Sequence, residues 1–231
     1  MKKLIALLLI ASLILCGCGA STPAATEATT APTQAPATEA TEAPTETTEA
    51  PTEPPVVYRN PLNGEVLDEP YTGRIFAVTI SNIRDALPHY GTMEADILME
   101  MWVNGSIIRD LALYTDVSKA EAIGSVRSDR LMFNQIVKMY DAVLADAAGS
   151  DQVLNDAKNT GVNRMTIDTG DATDYSYRAK DRVFTFKPES KYEHTLFAKG
   201  AGLLDFAQKK GFSVTQPADK DYNLHFTEDG T

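Results

Sequence analysis

Hydrophobic patterning divides the chain into three regimes. Leu4 to Leu15 is apolar at every position except Ser12. From Gly19 to Val56 no apolar periodicity exists. From Val57 onward, period-2 and period-3.6 patterns alternate with turn residues, as in a folded domain. Within that third regime Arg74 to Asn82 predicts a strand. Asp96 to Val103 and Ser106 to Thr115 predict two more, joined by Asn104-Gly105, a strong two-residue hairpin signal. The hairpin places Glu100 opposite Arg109, Trp102 opposite Ile107 and Leu98 opposite Leu111. A Glu100–Arg109 cross-strand ion pair is then expected as an ordinary sheet stabiliser. Both faces of this hairpin are largely apolar, so both are expected to be covered.

Strands and helices alternate beyond the hairpin. Ala122 to Val126 predicts a short strand, and Ser128 a helix N-cap for the apolar positions Met132, Phe133, Ile136, Val137 and Tyr140. Ala142 to Asp146 is the next strand. Gly149-Ser150 opens a second helix through Val153, Leu154 and Ala157, ended by Gly161. Arg164 to Asp168 and Arg182 to Phe186 predict further strands, and Glu193 to Lys210 a helix stopped by Gly211. The fold class expected is α/β: a mixed-sheet layered sandwich with an antiparallel Asn-Gly hairpin and a parallel strand-helix-strand section.

The first two regimes carry an address. Lys2 and Lys3 precede an apolar run shorter than the ~20 residues a spanning helix needs, which fits a signal-peptide core. Leu15-Cys16-Gly17-Cys18-Gly19 follows. Gly17 before Cys18 resembles the lipobox of bacterial lipoproteins, whereas Leu15 is too bulky to serve Cys16 in that way. Residues 1–17 are therefore expected to be a signal peptide. Residues 18–56 are read as a lipidated Cys18 plus a disordered Thr/Ala/Pro/Glu stalk, and residues 57–231 as one domain. Several acyl chains on Cys18 anchor firmly where one would not, at ~0.8 kcal/mol per buried CH₂. The stalk has nothing apolar to offset its ordering entropy. These features place the chain at the cell membrane, lipid-anchored on the extracytoplasmic face.

Composition narrows the chemistry. The 2 cysteines are consumed by the signal and the lipid, which excludes a cysteine nucleophile or cysteine-ligated metal from the mature domain. The formal net charge is -11, and it remains acidic after the stalk glutamates are set aside, so nucleic acid is a poor partner. His89, His194 and His225 lack zinc-site spacing, so no metal is expected, and no motif implies a cofactor. Asp96 and Glu100 lie about 13 Å apart along one strand face, too far for a glycosidase pair.

A longer string of short motifs runs through the domain: Asn60-Pro61-Leu62-Asn63-Gly64, Arg74, Ala95-Asp96, Glu100, Gly105 to Arg109, Ile123 to Arg130, Tyr140-Asp141-Ala142, Gly149-Ser150 and His194. Together these resemble the YerB-like lipoproteins, a family defined by the domain of unknown function DUF3048, with Val126-Arg127-Ser128-Asp129-Arg130 the most specific stretch. The resemblance implies an extracytoplasmic α/β lipoprotein domain and lends no established activity. Two departures stand out. Asp146 replaces a histidine usual in the family, and the family's second, C-terminal region is expected to be missing after Thr231.

Ligands of parallel α/β folds bind beyond the carboxyl ends of strands. Arg127, Ser128, Asp129 and Arg130 follow one predicted strand; Asp146, Gly149 and Ser150 follow another; Asp168-Thr169-Gly170-Asp171 follow a third. Arg127, Ser128, Arg130, Asp146, Gly149, Ser150 and His194 thus form the expected ligand-binding set, an anion pocket at helix N-termini. The competing reading pairs the arginines with Asp146, Asp129 or Glu100 merely to hold the loop. Three functions follow. One is a non-catalytic module for a cell-wall component or surface protein. Another is an enzyme on a wall polymer or phosphorylated lipid precursor, with Asp146 or His194 as base. The last is a structural partner with an apolar patch where the C-terminal region docks. Cys18→Ser is predicted to move the protein from the membrane fraction to the soluble fraction of lysed or fractionated cells; undiminished membrane retention refutes the anchor.

Overall fold

The computed structural model describes residues 56–168, 174–179, 192–222 and 224–227. The predicted signal, Cys18, the stalk up to Pro55, Thr169-Gly170-Asp171 and the predicted Arg182–Phe186 strand lie outside the described residues. After a two-stranded ribbon, β1 (Tyr58–Arg59) and β2 (Val66–Leu67), the central strand is β3 (Phe76–Ser81). β4 (Ile97–Asn104) and β5 (Ile107–Tyr114) form the hairpin. β6 (Ile123–Gly124) leads to α1 (Leu131–Met139), β7 (Val143–Asp146), α2 (Asp151–Thr160) and β8 (Asn163–Thr166). β9 (Ser176–Arg178), β10 (Leu196–Ala198) and α3 (Gly200–Lys209) complete it.

The main sheet has five strands in the order β4-β5-β3-β7-β8. Its hairpin side is antiparallel and its β3-β7-β8 side parallel, so the mixed sheet follows the sequence pattern. Alternation sorts the strands between two cores. Phe76, Val78, Ile80, Ala112, Tyr114, Val143 and Met165 pack against Leu196, Leu203 and Phe206 from β10 and α3. Ile75, Ala77, Leu111, Leu113 and Leu144 pack against Phe133 and Val137 of α1. The result is a layered α/β sandwich, with a smaller sheet, β6-β10-β9, backing one face.

The hairpin differs from its predicted register. The turn is Gly105-Ser106, Asn104 pairs with Ile107, and a bulge between Trp102 and Asn104 resets the pairing to Trp102–Ile108, Met101–Arg109 and Glu100–Asp110. Gly105 takes the positive φ of 53° that a tight turn needs. A shift of one residue changes which side chains share a face. Arg109 therefore sits on the α1 side of the sheet, and the expected Glu100–Arg109 pair does not form. Coverage also differs: Leu98, Glu100 and Trp102 of edge strand β4 face solvent, Trp102 at 72% exposure.

Three other elements are corrected. Ser128 is not the cap of α1; Arg130 is, because residues up to Asp129 stay extended against β3 and β7. The Ala122–Val126 strand shortens to β6 and runs antiparallel to β10, outside the parallel section. The Glu193–Lys210 helix splits, because Leu196–Ala198 pairs with β6 and β9 before α3 starts at Gly200. A Cβ at Gly200 would stand 2.0 Å from the Val117 carbonyl oxygen, so this chain crossing requires glycine. Ser150 and Gly161, at φ 73°, bound α2 as the sequence suggests. Truncating Phe133, fully buried under α1, should cost ~3–5 kcal/mol in urea unfolding as Phe133→Ala. Met132→Ala, at a half-open position one residue away, should cost less than about 1 kcal/mol; equal losses would contradict this orientation of α1.

Candidate functional site

The most distinctive stretch, residues 126–130, lies across the carboxyl ends of β3 and β7. The Arg127 N–H donates to the Thr79 carbonyl at 3.0 Å, while the Arg127 carbonyl accepts from Ala147 N at 3.0 Å and from the Thr79 hydroxyl. The Asp129 N–H reaches the Ala148 carbonyl at 2.7 Å. Backbone pairing on both sides fixes the segment, and the side chains of Arg127, Ser128 and Arg130 are left half-buried at its rim.

A buried ionic chain underlies it. Arg164 on β8 donates to Asp146 Oδ1 at 2.5 Å, and its Nε lies 3.8 Å from Asp129 Oδ2. Asp129 Oδ1 accepts the Arg130 N–H at 2.6 Å. Burial pushes the Asp129 carboxyl up to about 6 against the pull of the Arg130 N–H, Arg164 and Arg130. Burial also raises Asp146 well above the ordinary range, although Arg164 opposes the shift. Asp146 is fully buried, so it is a counter-ion for Arg164 and not a base facing solvent.

Three guanidinium groups gather above this chain. Arg130 Nη1 donates to the Asp129 carbonyl at 2.6 Å and to the Ser128 carbonyl at 3.5 Å. Arg127 Nη1 donates to the Glu193 carbonyl at 2.7 Å. Arg109 Nη1 reaches the same Ser128 carbonyl from β5. Arg109 is 4% exposed, and its Nε has no hydrogen-bond partner. Burial, then the nearby Arg130 and Arg127 charges, lower it to about 10 against the opposing pull of Asp129. Among the described residues none of these three arginines has a carboxylate within 4.0 Å.

The remaining expected residues do other work. Ser150 accepts the Val153 N–H at the start of α2, and a Cβ at Gly149 would meet Leu154 at 2.8 Å. His194 is 1% exposed; its carbonyl accepts from the Ser125 hydroxyl at 2.7 Å and its ring Nε2 lies 3.3 Å from Glu193 Oε1. Asp168 pairs with Arg178 at 2.5 Å. Other motif residues hold the scaffold. Asp96 accepts from Asn60, Asn63 and Thr115, and Arg74 pairs with Asp141 at 2.8 Å. Among the described residues no group of three or more His, Cys, Asp or Glu side chains is arranged to hold a metal ion.

The sequence pattern places Arg127, Ser128, Arg130 and Asp146 in one region, as the structure does, but puts Arg109 in a cross-strand pair and gives Arg164 no partner. A correct hairpin register would have placed Arg109 on the α1 face. An arginine on a strand paired in parallel beside Asp146 was the available signal for Arg164.

The fold and this edge define a mixed α/β domain with an arginine cluster at the carboxyl ends of its parallel strands. Residues 62–213 match the N-terminal domain of DUF3048, described as a protein of unknown function, and the chain belongs to that family. It is similar in structure to the crystal structure of YerB protein from Bacillus subtilis, with a TM-score of 0.57 and 24% identity over 68% of this chain and 51% of that chain. That likeness shows the shared fold, and this chain spans about half the length of the YerB chain, 51%. Among curated proteins no relative matches.

The buried carboxyl of Asp129 gives a pH test. Its native value of about 6 exceeds the unfolded value of about 4, so between those values the native state binds the extra proton. Stability from this group is fully present below the unfolded value and falls as pH rises toward 6. The urea midpoint should decline across that interval and the decline should flatten in Asp129→Asn; an unchanged slope in the variant contradicts the assignment.

Proposed function

We propose that the protein is a lipid-anchored, extracytoplasmic binding module that engages an anionic cell-envelope component through the Arg127/Arg130 edge, without catalysing a reaction. The anchor rests on Cys18 and the apolar run before it. The binding role is carried by one observation: Arg127 and Arg130 spend donors on backbone carbonyls and have no carboxylate within 4.0 Å among the described residues. Each guanidinium has five N–H donors, so capacity for an incoming anion remains. The competing reading, in which these arginines only neutralise neighbouring acids, fits Arg164 better than either of them.

Binding is favoured over catalysis by the state of the two candidate bases. A general base must come within hydrogen-bond reach of its substrate, and Asp146 and His194 are both buried, the first against Arg164. The protein-partner version of the reading uses the same edge and differs only in what is captured.

The test is co-sedimentation of the full detergent-solubilised chain with purified cell-wall fragments. Arg127→Ala and Arg130→Ala should each weaken capture roughly tenfold or more, since a hydrogen bond to a charged group contributes about 1.5–3 kcal/mol, and added salt should weaken it further. Equal capture by wild type and both variants would falsify the arginine-edge reading.

A further inference from the structure

Arg109 is the residue that the edge alone does not explain. It comes from an interior strand of the main sheet, is almost wholly enclosed, and has no carboxylate within 4.0 Å among the described residues, Asp129 acting on it only from farther off. Its guanidinium and that of Arg130 donate to one acceptor, the Ser128 carbonyl. Arg127 lies close enough to act on Arg109 electrostatically. Gathering like charges at one carbonyl, in a partly desolvated place, is unfavourable without enough compensating anion, and the one acid acting on Arg109 and Arg130, Asp129, also faces Arg164. A buried donor without a partner, here Arg109 Nε, is also rare enough to need a reason.

The cluster flanks the first turn of α1. No side chain caps that helix, and both Phe133 and Asn134 return their N–H groups to the Arg130 carbonyl. Helix N-termini have free N–H groups and a partial positive charge that attract oxyanions. A carboxylate offers two oxygens and one charge, which one arginine fork already satisfies. A phosphate offers more oxygens and up to about two charges, closer to what three guanidiniums and a helix end supply.

We infer that Arg109, Arg127 and Arg130 together bind a phosphate group, with Arg109 the enclosed base of the site and the N-terminus of α1 beside it. This rests on the reading of the arginine edge as a binding surface and specifies the group that the edge takes. Arg164 is outside the site, since Asp146 and Asp129 occupy it.

The experiment is a phosphorus-31 NMR titration of inorganic phosphate into the full chain in a phosphate-free, non-ionic detergent, with acetate as competitor. Wild type should broaden and shift the phosphate resonance, with little displacement by equimolar acetate. Arg109→Gln and Arg127→Ala should each weaken association by roughly tenfold or more, and Arg109→Lys should recover part of the loss. Circular dichroism checks the fold, and if Arg109→Gln does not fold, Arg127→Ala decides. Competition by glycerol phosphate against pyrophosphate then distinguishes a polymer-type phosphate from a lipid-linked diphosphate; either competing supports the site.

No phosphate binding by wild type, unchanged binding in the folded variants, or full displacement by equimolar acetate overturns the inference. The two readings fail separately. Wall capture that needs Arg127 and Arg130, in a protein that ignores phosphate, removes the phosphate assignment and leaves the envelope role. Phosphate binding that needs Arg109, with wall capture indifferent to Arg127 and Arg130, does the reverse.

Discussion

The double attachment of Arg127 through its backbone is the constraint from which the site follows. Its N–H is held by Thr79 on β3, and its carbonyl by Ala147 beyond β7 and by the Thr79 hydroxyl. Because both polar groups are used, residues 126–129 cannot coil into the helix that follows, and α1 starts only after Arg130. The same attachment carries the arginines to the carboxyl ends of parallel strands, where α/β folds leave room for ligands. A local choice between extended and helical backbone thus sets the architecture of the edge.

Beneath that segment, charge is organised in two tiers with different energetics. Asp146 and Asp129 are buried and Arg164, 16% exposed, compensates both. Such a set gives little net stability relative to apolar replacements, yet removing one member strands the others. Arg109, Arg127 and Arg130 form an upper tier that only carbonyl oxygens oppose directly. The lower tier fixes β8 to the loop; the upper tier has unused donors. Three guanidiniums set against one shared acid, Asp129, are a departure from local consistency, and such departures concentrate at working surfaces.

The outline of the fold was legible because its strongest signals are local. Apolar runs gave β3, β5 and β7, and Ser150 with Gly161 bounded α2 through capping and a left-handed glycine. What escaped depended on tertiary competition. The Asn104-Gly105 pair favours one turn, but the bulge near Val103 moves the turn to Gly105-Ser106, and sequence carries no direct record of that balance. Leu196–Ala198 has an apolar pattern consistent with helix, yet the unpaired edges of β6 and β9 claim it, and the close crossing at Gly200 completes the break. The site was half legible: the Val126–Arg130 stretch pointed to the edge, while Arg109 and Arg164 needed the strand order. Asp146 and His194 looked chemically competent in the sequence; only their burial changed the reading.

The exposed edge strand β4 has an optical consequence. The chain contains 1 Trp, and Trp102 stands at 72% exposure beside the hairpin turn. Its indole already experiences a largely aqueous surrounding in the native state, so emission colour will change little when the core melts. Tryptophan fluorescence is therefore a gauge of what happens at β4, including contact with another molecule or pairing along an open sheet edge. The enclosed rings of Tyr114, Tyr140, Tyr175 and Tyr222 are together the better chromophores for following the interior.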